Sequence, residues 1–236
     1  MAPAFDANGS SLVGAGVASP DTFTYTHTFG SASAKLIAVW LLWFNTTGST
    51  LALTTRTVTV GGQTCNFGAA LETGGGTGTG NNVLEGYYLL KPPTSPLAQT
   101  VSVTLTHSGF TFAAIAESNS YTGVGGVGAA VTNSAVSASA SSGAVASATG
   151  HLVAQAFGVN TTATTLSAYS GTSHFNNSAT SVGTFAGGEA AGAASVTVTA
   201  TLSGSDSWAS VAFDMLPLTV LPQQLGRVPM IRSSVF

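Results

Sequence analysis

The side chains of this chain that can do acid, base or nucleophilic chemistry are few and scattered. Eight carboxylates stand singly at positions 6, 21, 72, 85, 117, 189, 206 and 214, and four histidines at 27, 107, 151 and 174. No two histidines fall two to four residues apart and no acid stands beside one at ligand spacing, so any zinc site would have to be assembled from distant strands. Glycoside hydrolysis needs two carboxyl groups facing each other across a cleft, and Glu85 and Glu117 are the pair that neighbouring strands would bring together. Serine is abundant, but no G-x-S-x-G elbow presents one as a nucleophile. No catalytic residue, metal ligand or cofactor site is assigned from these residues.

Two glycine-rich stretches resemble phosphate-binding loops only in outline. Gly123 to Gly128 fits G-x-G-x-x-G, but strand-like Ala, Ser and Val follow where a helix is needed, and no acid comes before Glu189. Gly74 to Gly80 lacks the Lys-Ser/Thr of a phosphate loop and reads as a hairpin tip. The aromatics Trp40, Trp43, Trp208, Tyr87, Tyr88 and Tyr121 offer either a sugar-stacking platform or an aromatic core. Core packing is the default for Trp40 and Trp43, which lie in the most apolar run.

The elements that would position these residues are strands. Only 6% of the 236 residues are charged and 44% are hydrophobic, and Gly, Thr, Ser, Ala and Val dominate. That composition suits many short strands joined by tight turns. Leu36 to Phe44 (LIAVWLLWF) is half the length of a membrane helix but right for a strand buried on both faces. Val101, Val103 and Leu105 alternate with polar residues, as do Val196 and Val198, which predicts hairpins over 101–121 and 195–215. Thr54 to Val60, Gly61-Gly62 and Gln63 to Phe67 predict a third hairpin, and Pro92-Pro93 stops a strand over 86–90. Ten to fourteen strands are expected.

The chain repeats itself. Lys35 to Leu53 echoes Gly150 to Ser167, with Asn-Thr-Thr at Asn45 and again at Asn160, and Thr100 to Tyr121 parallels Ser195 to Pro217. The offsets are 115 and 95 residues, so the first copy carries an insertion of about 20 residues within Arg56 to Leu90. The fold expected is all-β: an antiparallel β-sandwich of jelly-roll or lectin-like type with internal pseudo-duplication (repeats about 19–122 and 130–217) and an extended C-terminal tail. Residues 1–18 form an N-terminal arm or edge strand, 19–217 the sandwich and 218–236 the tail. Pro222, Gly226 and Pro229 bar regular structure in the tail, whereas Leu221, Leu225, Arg227, Met230, Ile231, Arg232 and Phe236 equip it to dock on a partner.

Net charge of −3 gives no grip on a nucleic-acid backbone. A single cysteine, Cys65, excludes an intrachain disulfide framework. Met1 to Ser10 has neither the basic nor the apolar region of a signal peptide, which predicts synthesis and assembly in the cytoplasm without membrane insertion.

The ordered series KLIAVW (35–40), VTVGGQ (58–63), GYYLLKPP (86–93), TVSVTLTHSG (100–109), SYTGV (120–124) and WASVAFDMLP (208–217) resembles a β-sandwich domain of bacterial surface proteins and of virion proteins of tailed phages. It is most similar to minor tail or capsid-decoration proteins of phages infecting actinobacteria. The resemblance implies a non-enzymatic structural virion subunit, part of a homo-oligomer, docking on other capsid or tail proteins through its terminal segments. It carries over no catalytic residue or cofactor. The alternatives are a receptor- or glycan-binding module on the tail, recognising a host-surface glycan, and a cell-envelope hydrolase.

Overall fold

A computed structural model describes residues 1–9, 12–16, 20–45, 53–73, 82–107, 112–179 and 182–219. In chain order the first half contains β1 (Ala4–Asn8), β2 (Leu12–Gly16), β3 (Asp21–Thr28), β4 (Ala34–Asn45), β5 (Leu53–Val60), β6 (Gln63–Thr64), β7 (Asn66–Glu72), β8 (Asn82–Leu90), β9 (Ala98–His107) and β10 (Phe112–Thr122). The second contains β11 (Val124–Ser141), β12 (Val145–Ala146), β13 (Leu152–Val159), β14 (Leu166–Ser167), β15 (Thr172–Ala179), β16 (Gly183–Ala191), β17 (Ser195–Val196) and β18 (Thr199–Pro217). The fold is all-β and every pairing is antiparallel. Four of these eighteen strands, β6, β12, β14 and β17, have only two residues.

Four layers result, built around two inner sheets. The first inner sheet runs β1-β10-β4-β8-β7, with β2 also on β10, and the second runs β11-β18-β13-β16-β15. The orders correspond strand for strand: β4 and β13 are central, each flanked by the strand that ends its half. A first outer sheet, β3-β9-β5-β6, covers one face of the first inner sheet. The pair β12-β17, with β14 and the start of β18, covers the far face of the second.

Period-two alternation sorts β4 between two cores. Ile37, Val39, Leu41 and Trp43 face the first outer sheet and meet Val58, Val101, Val103 and Leu105. Leu36, Ala38, Trp40 and Leu42 face the second inner sheet and meet Ala154, Ala156, Val211 and Phe213. A third core joins Val153, Phe157 and Trp208 to Val145, Val196, Val198 and Leu202 in the far layer. The run read as a doubly buried strand is the centre of the molecule.

The expected hairpins at 101–121 and 195–215 are absent. β9 pairs with β3 and β5 in the outer sheet, whereas β10 pairs with β1, β2 and β4 in the inner one, so the chain changes layer between them. In the second copy β18 is one bent strand, whose ladder to β11 skips from Asp206 to Thr201. The reason lies in burial: β9 alternates as a half-exposed outer strand must, but 113–121 is buried on both faces and fits only an inner sheet. The hairpin expected over 54–67 forms at its tip, Thr59 and Val60 against Thr64 and Gln63, with Gly61 and Gly62 at φ 55° and 79° as a two-residue turn requires, but Asn66 and Phe67 pass into β7 of the inner sheet.

The glycine-rich G-x-G-x-x-G segment opens the 18-residue strand β11. Gly123 (φ 68°) makes the bend between halves, and a Cβ there would lie 2.1 Å from Ala2 O. The N-terminal residues are not a free arm: β1 and β2 are edge strands on β10. Met1 and Leu218 exchange hydrogen bonds of 2.8 and 3.1 Å, so both ends of the described chain meet at that bend.

The sequence echo and the fold disagree by one residue. Trp40 pairs with Glu117, and shifting each by its offset gives Gln155 and Ala212, which also pair. Yet Trp40 faces the opposing inner sheet, whereas Gln155 lies between Val153 and Phe157 and faces the far layer. A one-residue slip turns every side chain to the other face, so the copies superpose by facing only after such a shift.

Candidate functional site

Glu85 and Glu117 do not meet. Glu85 is registered with Leu41 and Glu117 with Trp40, so they leave opposite faces of one sheet. Glu85 sits in the first core, where Trp43 Nε1 donates to it at 3.0 Å, Tyr87 OH donates at 2.5 Å and Arg56 closes an ion pair. Its acceptor sites are filled by the fold. Glu117 faces the second inner sheet and accepts from Asn177 Nδ2 on β15. Burial pushes its pKa up to about 7, against the opposing effect of the Asn177 bond.

Around Glu117 runs a polar seam between the two inner sheets. Trp40 Nε1 donates to Asn119 Oδ1 at 3.3 Å, and His174 stacks on Phe5 with ring centroids 3.6 Å apart. His174 Nε2 lies 3.2 Å from Glu189 Oε2 without a hydrogen bond between them. Tyr121 OH, Tyr169 OH and Asn119 Nδ2 are buried without partners. Burial, reinforced by the Glu189 charge, raises the pKa of both tyrosines. The seam orders β1 and β10 against β15 and β16, and Glu117 within it is closed to solvent.

The other histidines are also taken up by the fold. His27 accepts or donates a 2.9 Å bond with Ser118 Oγ, and burial holds its pKa down at about 4. His151 Nδ1 lies 2.7 Å from Asp214 Oδ2, and Ser147 Oγ donates to Asp214 Oδ1 at 2.6 Å. This Ser, His and Asp set is not a nucleophilic triad, because the serine proton goes to the carboxylate and not to the imidazole. It ties the turn before β13 to β18. The His107 side chain lies outside the described residues. Among the described residues no three His, Cys, Asp or Glu side chains gather as a metal site. Burial pushes the Cys65 thiol up to about 12.

The aromatic platform is core. Trp43, Trp40 and Trp208 sit one in each of the three cores, Tyr87 and Tyr121 are buried, and Tyr88 is half-buried against Phe213. The docking residues Leu221, Leu225, Arg227, Met230, Ile231, Arg232 and Phe236 lie outside the described residues.

Charge placement is the feature that composition could not show. All eight carboxylates are buried or half-buried, and Arg56 and Lys91 alone among the charged side chains described are exposed. Among the described residues, the fully exposed positions are mostly Thr, Ser, Ala and Gly, and the exposed Arg56 is paired with Glu85. Comparison with protein families, with curated proteins and with solved structures found no match for this chain.

Proposed function

We propose that this chain is a non-catalytic structural subunit of a larger particle, a minor tail or head-decoration protein of a tailed phage virion that docks through its terminal segment. The virion assignment comes from the sequence resemblance alone. The observation that supports the wider reading is that only two charged side chains among the described residues, Arg56 and Lys91, are fully exposed. Charged residues are depleted at the centre of permanent interfaces, where desolvating them is costly, so such a surface suits a module covered by neighbours. The last described residues run beside Met1 at the bend between halves, where Leu218 hydrogen-bonds Met1 and Gly123.

The test is the assembly state of the full chain and of a variant lacking residues 220–236. The full chain is expected to form a discrete oligomer and to enter particles; the truncated chain stays folded and loses incorporation. A monomeric full chain, or a truncated one incorporated as well as the parent, would sink the reading.

A further inference from the structure

A strand at a sheet edge presents unpaired N–H and C=O groups, and natural sheets blunt such edges with bulges, charges, proline or brevity. Most edges of this fold are blunted in that way. β1, β7, β11 and β15 each carry an extra residue that breaks the ladder to the next strand, between Phe5 and Ala7, Phe67 and Ala69, Val124 and Gly126, and Ser173 and Phe175. β6, β12, β14 and β17 have two residues each, and β2 pairs without a shift but over five residues only.

The exception is β3, at the edge of the first outer sheet. Its residues Asp21 to Thr28 pair one for one with Leu105 to Ala98 of β9, and it pairs with no other described strand. It holds no Pro, Lys or Arg, and its one carboxylate, Asp21, stands at its start. Alternation along it is complete. Thr22, Thr24, Thr26 and Thr28 are exposed on the outer face, while Tyr25 and His27 are buried and Phe23 packs against the first core.

We infer that β3 is where two copies of this chain join, edge to edge and antiparallel, making one eight-stranded sheet from two four-stranded ones. A two-fold axis through such a pair lets each β3 supply the hydrogen-bond partners that the other lacks. Residues opposite each other in an antiparallel ladder share a face, so threonine must meet threonine. Two registers near the middle of the strand satisfy this: Thr24 opposite Thr24 with Phe23 opposite Tyr25, or Thr24 opposite Thr26 with Tyr25 opposite Tyr25. Both give the threonine and aromatic pairs that stabilise sheets. Asp21 falls opposite His27 or Phe29 and never opposite its own copy, so no like charges meet. This self-complementarity favours a second copy over a foreign strand. The inference rests on the reading of the chain as an oligomeric subunit and names the strand that joins its copies.

The experiment is sedimentation of the full chain over a concentration series, alongside two double variants, Thr24→Lys with Thr26→Lys and Thr24→Glu with Thr26→Glu. Both positions are exposed within one protomer, so the changes act on the pairing and not on a core. Each double variant should weaken self-association about tenfold or more, because like charges then stand opposite one another. An equimolar mixture of the two should restore it, which a chain that had merely misfolded would not do. Self-association that neither variant changes, a loss that mixing does not restore, or association that begins only when residues 220–236 are deleted would overturn the inference. An oligomer indifferent to the β3 variants leaves the subunit reading standing, whereas a truncated chain that enters particles overturns that reading and leaves β3 untouched.

Discussion

Asn177 on β15 donates to Glu117 on β10 across the space between the two inner sheets, so the first half's least favourable buried acid is satisfied by a residue of the second. Each half therefore supplies what the other's interior lacks, and the seam links the folding of both.

That link sets the pH dependence. Glu117, raised to about 7, favours the fold fully below its ordinary value of 4.5 and loses that contribution as pH rises through about 7. His27, lowered to about 4, contributes fully above 6.5 and loses it as pH falls through about 4. Between about 4.5 and 6.5 the slopes oppose and stability should be flat. Urea unfolding across pH should show this plateau. In Glu117→Gln stability should instead rise by on the order of 3 kcal/mol from pH 4 to 6.5; a Glu117→Gln profile identical to the parent's would contradict it.

Glu85→Ala should be among the costliest single changes. It strands the Trp43 N–H, the Tyr87 hydroxyl and the Arg56 guanidinium around an empty buried position. A loss of about 3–5 kcal/mol is expected from breaking a buried pair on one side. A loss under 1 kcal/mol in urea unfolding would mean that water fills the site freely.

The three tryptophans report the three cores separately. Variants keeping only Trp43, only Trp40 or only Trp208 should give coincident denaturation midpoints for their own secondary structure and fluorescence, because the middle core is shared by both halves. Separate transitions from the Trp43-only and Trp208-only proteins would show that the halves fold independently.

Two glycines with positive φ should respond differently to alanine. Gly62 has open space around its absent Cβ, so Gly62→Ala costs only conformational strain, about 1 kcal/mol. Gly183→Ala drives a methyl group into Val159 O and should cost at least 3 kcal/mol. Thermal melts of both variants check the order.

How much was legible in the sequence can be judged from particular strands. LIAVWLLWF announces a doubly buried strand because side-chain direction alternates residue by residue, a property of the local backbone. Tyr25, His27 and Phe29 shared a face for the same reason, and Gly61-Gly62 fixed its hairpin through φ alone. The partners of β9 and β10 were beyond reach, since burial says which layer a strand suits but not which neighbour it meets. The candidate site was read least well. Ser147 and Asn177 carry no motif, although Gln155 inside LVAQAF shows that a lone amide in an apolar strand is a signal worth following.

Composition and period two, acting through chain-local geometry and solvation, determined an all-β protein with a repeated strand set and little charge. Only the tertiary structure decided where that little charge goes. Facing is settled by register across strands far apart in sequence, and that register separated Glu85 from Glu117 and joined Glu117 to Asn177.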